Sequence, residues 1–230
     1  MTARKRVAVL ASGGGSNLQA LLDHFAALGD RRSADVALVA GNRAQAGALE
    51  RARSAGIASV VASPDATAAV LAEHAIELVV LAGYLAFVPA AVTARWAGRI
   101  INIHPALLPA FGGPGLYGLR VHRAVLEAGV RVSGATVHFV DAEYDRGPII
   151  AQWPVPVAAG DTAESLAARV LRVEHALLPR AVDALARGAV SLAADGRVLG
   201  GAARAPQSPF AMEMPDDLTL ASEIDALFAA

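Results

Sequence analysis

The stretch VAVLASGGGSNLQALLDHF, residues 7–25, decides the fold expected for this chain of 230 residues. Its first five residues are apolar and predict a short buried strand, which three glycines then end. Ser16 follows as a candidate helix N-cap, and apolar side chains behind it recur at the spacing of one helix face, at Leu18, Leu21, Leu22 and Phe25. The stretch therefore predicts a strand, a tight glycine turn and a helix, which is the first unit of an α/β fold.

Short apolar runs continue to alternate with helical patterns as far as residue 103. Further strands are expected at residues 36–40, 58–62, 78–81 and 99–103, with single helices between them. Strands joined in this way form right-handed crossover units, so a parallel sheet with both faces covered is expected.

The second half of the chain has a different pattern. Residues 106–118 are rich in Gly and Pro and predict a loop, which a helix over about 119–128 follows. Residues 133–140 alternate between apolar and polar side chains, and two prolines within 149–157 favour an edge strand there. A long helix is then expected over 162–187.

The expected architecture is a three-layer α/β fold, with a mostly parallel twisted sheet of about seven strands and helices on both faces. One domain is predicted over residues 1–195, composed of an N-terminal half of about 1–100 and a C-terminal half of about 101–195. The signals weaken beyond it, so residues 196–230 are predicted to form a loosely attached tail. Asp161 is the expected cap of the long helix.

The composition excludes several classes of protein. Lys and Arg together number 20 against 21 for Asp and Glu, and this net charge of −1 excludes a strongly basic nucleic-acid binder. Because cysteine is absent, the chain has no disulfide, thiolate metal site or cysteine nucleophile. The apolar runs at 7–11 and 78–92 are too short for a secretory signal or a membrane span, so a cytoplasmic protein is expected.

The glycine-rich turn at residues 12–17 is the first candidate site. Free backbone N–H groups at a helix N-terminus attract anions, so the turn favours phosphate binding over a purely structural role. The dinucleotide fingerprint fits poorly, because Leu18 stands where its third glycine belongs, and no acidic residue ends the second strand. A P-loop is excluded because no Gly-Lys-Ser/Thr follows.

Asn102 and His104 form the second candidate site, at the carboxyl end of a predicted buried strand. Alternation along a strand puts both side chains on one face, and ligands of open α/β sheets bind beyond such strand ends. Among the six histidines, His104 is the one in a turn after a strand, whereas His122 at a helix start is ambiguous. The pair therefore indicates an amide and an imidazole that act on one atom.

An acidic loop at residues 141–147 is the third candidate. Its acids are spaced as in a calcium loop, but Arg146 and Gln152 occupy the positions where that loop needs Gly and Glu, so metal binding is not expected. The loop is either a solvated turn or the source of one carboxylate directed at His104. An amide, an imidazole and a carboxylate suit acyl transfer, and without a nucleophile elbow they suggest direct transfer between two bound substrates.

Six segments carry a resemblance to a known family: SGGGSNLQ (12–19), LAGY (81–84), GRIINIHPALLP (98–109), SGATVHFV (133–140), DRGPII (145–150) and EHALLP (174–179). In this order they resemble the folate-dependent formyltransferases, and among these the phosphoribosylglycinamide formyltransferases. The resemblance implies that the chain transfers the formyl group of 10-formyltetrahydrofolate to glycinamide ribonucleotide in purine biosynthesis.

The resemblance also implies roles for particular residues. Gly15, Ser16 and Asn17 would hold the phosphate of the ribonucleotide in the N-terminal half, and Glu174 would bind its ribose. The catalytic groups would be three residues of the C-terminal half, namely Asn102, His104 and Asp145. In that family's mechanism the carboxylate would hold the histidine charged, and the amide and imidazolium would stabilise a tetrahedral oxyanion.

The folate co-substrate would contact residues on both sides of the catalytic groups, namely Leu85, Ala86, Phe87, Val88, Asn102, Asp141 and Asp145. No metal, nucleic acid or membrane partner is implied, and the assembly would be a monomer or homodimer. Two departures from the family pattern are a longer loop at 111–118 and Ala86, where an arginine is common.

Three alternatives remain. A tRNA-directed relative is expected to carry a second C-terminal domain and a basic surface, and a formyltetrahydrofolate hydrolase is expected to carry an extra N-terminal domain. A nucleotide-binding module without catalysis would keep the glycine turn but would have no need to align Asn102, His104 and Asp145.

Overall fold

A seven-stranded sheet forms the centre of the structure, a computed structural model that describes residues 3–200 and 214–229. Its strands are β1 (Lys5–Ala11), β2 (Ala34–Gly41), β3 (Ala58–Val61), β4 (Leu78–Leu81), β5 (Ile100–His104), β6 (Val132–Phe139) and β7 (Ile149–Pro156). They lie in the order β3-β2-β1-β4-β5-β6-β7, in which the first five are parallel and the last two antiparallel. The predicted fold class is confirmed.

Seven α-helices accompany the sheet in the described ranges: α1 (Ser16–Leu28), α2 (Gly47–Ser54), α3 (Thr67–Glu73), α4 (Ala90–Arg95), α5 (Leu119–Glu127), α6 (Ala163–Ala186) and α7 (Asp217–Leu227). Alternate residues of β1 enter opposite cores, with Val7 and Val9 in one and Ala8 and Leu10 in the other. Helices α1, α2, α5, α6 and α7 cover the first face, and α3 and α4 cover the second. The parallel strands are therefore apolar on both faces, as their sequences predict.

Two predicted helix caps are wrong. The N-cap of α1 is Gly15 rather than Ser16, because the backbone reaches the helix through a left-handed residue with φ of 77°, which glycine adopts without strain. The N-cap of α6 is Thr162, whose hydroxyl accepts from the Ser165 N–H, while Asp161 forms an ion pair with Arg169 at 2.7 Å.

The prediction of a loosely attached tail is wrong for the described part of that segment. Residues 198–200 form strand β9 (Val198–Gly200), which pairs with β8 (Val190–Leu192), and α7 packs against α6. Leu220, Ile224 and Leu227 are buried on one face of α7, since their spacing places them on successive turns. The first core therefore extends beyond residue 195, and the part of the predicted tail at 201–213 and 230 lies outside the described residues.

Candidate active site

The candidate active site begins on β5, which places the side chains of Asn102 and His104 on one face of the sheet. The neighbouring strand β6 runs antiparallel, so His138 lies directly opposite Asn102 and Thr136 lies opposite His104. His138 is not among the residues that the sequence pointed to. Its signal was the alternation of residues 133–140, which puts His138 on the polar face of the strand, but the pairing with β5 is a long-range contact.

Asp145 reaches this cluster from the loop after β6, where its backbone adopts a left-handed φ of 53°. Its Oδ2 lies 3.5 Å from Nδ1 of His104, and its Oδ1 lies 3.4 Å from Nδ2 of Asn102 and 3.7 Å from Nε2 of His138. The N–H of Gly113 donates to Oδ2 at 2.9 Å, so the loop at 106–118 also holds the carboxylate. The structure therefore brings Asn102, His104 and Asp145 together, as their expected shared role requires.

The hydrogen bonds show which atoms of the site donate a proton and which accept one. Nδ1 of His138 faces the carbonyl of Phe139 at 2.7 Å and must donate there, so in the neutral ring Nε2 accepts from Nδ2 of Asn102 at 3.1 Å. Nε2 of His104 must likewise donate to the carbonyl of Phe111 at 2.9 Å. Both amide hydrogens of Asn102 thus point at acceptors, and the Nδ1 side of His104 points at a carboxylate.

Burial and neighbouring groups shift the pKa values of His104 and Asp145 in opposite directions. Burial lowers the pKa of His104 below its usual value and outweighs Asp145 and the Phe111 carbonyl, which raise it. Burial would raise the pKa of Asp145, but His138, His104 and the Gly113 N–H together lower it. Asp145 therefore favours the charged form of His104, but burial has the larger effect on the pKa of that ring.

His122, which the sequence leaves ambiguous, lies buried on α5 and within the electrostatic influence of His104. Burial, and secondarily the charge of His104, lower its pKa to about 4, so the ring is neutral near pH 7. Among the described residues, no hydrogen-bond partner is present for its buried Nδ1. His122 is thus a neutral neighbour of the cluster.

The glycine turn forms the second part of the site. A Cβ on Gly15 would lie 2.7 Å from Cα of Ala48, so the turn packs too closely against α2 for a side chain at this position. Within the turn, Nδ2 of Asn17 donates to Oε2 of Glu174 at 2.6 Å in a buried contact. Burial raises the pKa of Glu174 to about 7, although the bond from Asn17 lowers it. The predicted phosphate and ribose residues therefore include one directly bonded pair, Asn17 and Glu174.

A cleft leads to Asn102, His138 and Asp145 from the side of the predicted folate residues. It is lined by Leu81, Tyr84, Ala86, Phe87, Val88, Asn102, His138, Val140, Asp141, Glu143, Tyr144 and Asp145. Of the predicted set, only Leu85 is missing from this lining. Glu143 and Tyr144 were expected to contact the folate only as part of the loop at 141–145 and were not singled out, because nothing in the sequence shows which side of the acidic loop faces the cleft.

Two features are absent from the part of the chain that the structure describes. Within 3–200 and 214–229, no three or more His, Asp or Glu side chains are grouped so that they could hold a metal ion. No helix in the same ranges has both the length and the apolar character that a membrane crossing requires.

Comparison with known proteins identifies formyltransferases that are similar to this chain in sequence and in structure. The family described as formyl transferase matches residues 5–182. Phosphoribosylglycinamide formyltransferase of Escherichia coli K12 is 40% identical over 211 residues, covering 87% of this chain and 96% of its own. The chloroplastic enzyme of Arabidopsis thaliana is 45% identical over 204 residues, covering 84% of this chain and 69% of its own. The crystal structure of the Anaplasma phagocytophilum phosphoribosylglycinamide formyltransferase superimposes with a TM-score of 0.78 at 40% identity, covering 86% and 95% of the two chains.

Proposed function

This chain belongs to the formyl transferase family, and we propose that it transfers the formyl group of 10-formyltetrahydrofolate to the amine of glycinamide ribonucleotide. The observation that carries the proposal is the contact of Asp145 with both His104, at 3.5 Å, and Asn102, at 3.4 Å, where the cleft ends. A binding module has no need for an amide, an imidazole and a carboxylate that can all reach a single atom, whereas an acyl-transfer site needs such an arrangement.

The reaction proceeds by direct attack. The amine nitrogen bonds to the formyl carbon, the bond from that carbon to N10 of the folate breaks, and one proton moves from the amine to N10. Between these events the formyl oxygen carries negative charge, and N–H donors directed at it stabilise the intermediate. Asn102 and protonated His104 are the donors proposed, and Asp145 favours the charged form of His104 and orders a water for proton transfer.

The structure adds a constraint to this scheme. Nε2 of His104 donates to the carbonyl of Phe111, and Nδ1 faces Asp145. An oxyanion is a stronger acceptor than a neutral carbonyl, so the developing charge competes with Phe111 for the Nε2 proton. The intermediate is then preferred over the ground state, which is the condition for catalysis.

The ribonucleotide is proposed to bind at the glycine turn. Backbone N–H groups from Gly15 to Asn17 would hold its phosphate at the start of α1, and Glu174 would accept from the ribose hydroxyls. Leu85 to Val88, Asn102, Asp141 and Asp145 would contact the folate. The proposed location is the cytoplasm, and the proposed assembly is a monomer or homodimer. Sedimentation of the purified protein would determine the assembly.

The activity is tested by following tetrahydrofolate release with and without glycinamide ribonucleotide, in the presence of EDTA. We expect release only when the ribonucleotide is present, and no effect of the chelator. Release without the ribonucleotide would identify a hydrolase instead. Ribonucleotide binding with no release at saturating donor would identify a module without catalysis.

His104→Ala tests the assignment of the catalytic groups. We expect kcat to fall by about a thousandfold or more, because the variant loses both a donor to the oxyanion and the partner of Asp145. The Kd for the ribonucleotide, measured by calorimetry, should change by less than about threefold. His74→Ala is the matched control, since its ring contacts the Val70 carbonyl within α3. A His104→Ala rate close to that of the unaltered protein would remove His104 from the mechanism.

A further inference from the structure

Helix α2 packs directly against the glycine turn that is proposed to hold the phosphate. A Cβ on Gly47, the first residue of α2, would lie 3.2 Å from Cα of Gly14. A Cβ on Gly15 would lie 2.7 Å from Cα of Ala48 on the same helix. The backbones of the turn and the helix therefore approach closely, and polar groups of α2 can reach the peptide groups of the turn.

Two consecutive carbonyl groups of the turn accept hydrogen bonds from α2. The N–H of Ala48 donates to the Gly13 carbonyl at 3.1 Å. Nε of Arg51, three residues later and hence on the same face of the helix, donates to the Gly14 carbonyl at 2.8 Å. Nη1 of Arg51 also donates to Oε1 of Gln19 on α1 at 3.2 Å. The guanidinium group therefore connects the turn with the helix that follows it.

These bonds fix the directions of the N–H groups in the same two peptide units. Both peptide bonds are trans, and in a planar trans peptide the N–H points opposite to the C=O. Because the carbonyls of Gly13 and Gly14 point toward α2, the N–H groups of Gly14 and Gly15 point away from it. Within the part of the chain that the structure describes, neither N–H donates to another group of the protein. The turn therefore presents both donors to a ligand on its side remote from α2.

Of the two bonds from α2, only that of Arg51 depends on a side chain. The Ala48 bond comes from the backbone and persists whichever side chain the helix carries at that position, proline excepted. Glu50, the neighbour of Arg51 in the chain, is paired instead with Arg53 at 2.7 Å. Arg51 is exposed, so its replacement is not expected to disturb the core. The orientation of the Gly14–Gly15 peptide can thus be altered without altering the fold.

We propose that Arg51 is a positioning residue for the phosphate of the ribonucleotide, and that it acts by holding the Gly14–Gly15 peptide so that the Gly15 N–H faces the phosphate. This inference rests on the proposed function, in which that N–H is one of the phosphate donors. Without the bond the peptide rotates more freely, because glycine on both sides permits many backbone conformations. Binding must then also order the donor, which lowers the affinity for the phosphate.

Arg51→Met and Arg51→Gln test how Arg51 acts. Methionine keeps an apolar stem without a donor, whereas glutamine is uncharged but places an amide nitrogen as many bonds from the backbone as Nε of arginine. We expect Arg51→Met to raise the KM for glycinamide ribonucleotide about three- to tenfold, because the hydrogen bond that orients the donor is lost. Its kcat and its KM for the formyl donor should stay within about twofold. Arg51→Gln should restore the ribonucleotide KM to within about twofold of that of the unaltered protein.

A substrate without phosphate separates positioning from a general structural effect. For glycinamide ribonucleoside, kcat/KM should agree within about twofold between the unaltered protein and both variants, because the group that Arg51 serves is absent. Arg53→Met is the matched control, since Arg53 pairs with Glu50 within α2, and it should change none of these values. An equal loss with both substrates in Arg51→Met would overturn the proposal. A glutamine variant as impaired as the methionine variant would also overturn it, since charge and not orientation would then be the contribution of Arg51.

Direct binding distinguishes failure of this inference from failure of the proposed function. Calorimetry with ribose 5-phosphate requires no turnover, and we expect its Kd to rise about three- to tenfold in Arg51→Met and to recover in Arg51→Gln. An unaltered Kd in Arg51→Met, while formyl transfer by the unaltered protein persists, would overturn the inference alone. Absence of formyl transfer in the unaltered protein would instead overturn the proposed function on which the inference rests.

Discussion

Glu174 shows at the scale of one residue how a binding group opposes stability. It lies buried on α6, bonded to Asn17, and burial raises its pKa to about 7 from an ordinary value of 4.5. The folded state therefore holds the proton more tightly than the unfolded chain does. Its contribution to stability is fully present below pH 4.5 and is lost as the pH rises to about 7. Above that pH the Glu174 carboxyl group is ionised although it is buried, which lowers the free energy of unfolding.

Glu174→Gln should separate this cost from the proposed binding role. We expect the variant to exceed the unaltered protein in unfolding free energy by about 1–3 kcal/mol at pH 8, and to match it near pH 4.5. The Kd for the ribonucleotide should rise about tenfold or more, since an amide accepts ribose hydroxyl bonds less strongly than a carboxylate. Urea denaturation at the two pH values and calorimetry give the measurements.

The exposed residue Glu127 supplies a control, because Glu127→Gln removes a carboxyl that is in contact with solvent. Its effect on stability should stay within about 0.5 kcal/mol at both pH values. A Glu174→Gln variant with the same stability difference at pH 4.5 and pH 8 would show that Glu174 does not titrate in this window.

The residues of the site differ in how far the sequence predicted them. Asn102 and His104 were predictable because alternation along one strand is a local property. Asp145 was predicted only as one of several acids in its loop, and the family resemblance was needed to choose it. His138 was missed and Tyr144 was not singled out within its loop, since their positions depend on strand pairing and on the path of a loop, which no local pattern specifies.

At the scale of the element, α7 shows how attachment depends on side chains from another helix. Arg172 and Arg180 of α6 form ion pairs with Asp217 and Asp225 of α7 at 2.7 and 2.6 Å. The aspartates of both pairs are largely exposed, so the ion pairs contribute little and the buried face of α7 accounts for most of its attachment. The apolar spacing of that face was present in the sequence, but its partner helix lies about 40 residues earlier and could not be inferred.

Leu220→Ala is expected to reduce the unfolding free energy by about 2–4 kcal/mol, because the leucine is fully buried against α6 and its removal leaves a cavity. Leu218 on the same helix is 85% exposed, and Leu218→Ala should change stability by less than about 0.5 kcal/mol. Denaturation of the full chain measures both. Equal effects of the two substitutions would contradict the packing of α7 described above.

At the scale of the whole molecule, the alternation of strands and helices in the first half determined five parallel strands correctly. The direction of β6 and β7 was not predictable, because a strand that follows a long loop can join the sheet either way. That reversal matters for function. It places His138 opposite Asn102 and starts the loop that carries Asp145 beside the first residues of β5, and within this arrangement Asp145 contacts His104 at 3.5 Å.

Ser12 joins the two proposed substrate sites across the molecule. Its hydroxyl donates to Oδ1 of Asn42 at 2.7 Å and accepts from the N–H of Leu85 at 2.8 Å, while its own N–H donates to Gly83 at 3.0 Å. The glycine turn after β1 is thus bonded directly to the segment at 83–88 that borders the cleft. The position of that segment depends on a hydroxyl from the ribonucleotide side.

Ser12→Ala should therefore affect the proposed folate site, although Ser12 itself belongs to the glycine turn. The substitution leaves the Leu85 N–H without its partner, so the segment at 83–88 loosens and we expect the KM for the formyl donor to rise about three- to tenfold. The ribonucleotide Kd should stay within about twofold, since backbone bonds from Ser12 to Gly83 and from Ala48 to Gly13 still hold the turn. Ser63→Ala, which removes the hydroxyl that accepts from the Ala66 N–H before α3, should change neither value. A rise in the ribonucleotide Kd alone would mean that Ser12 supports only its own turn.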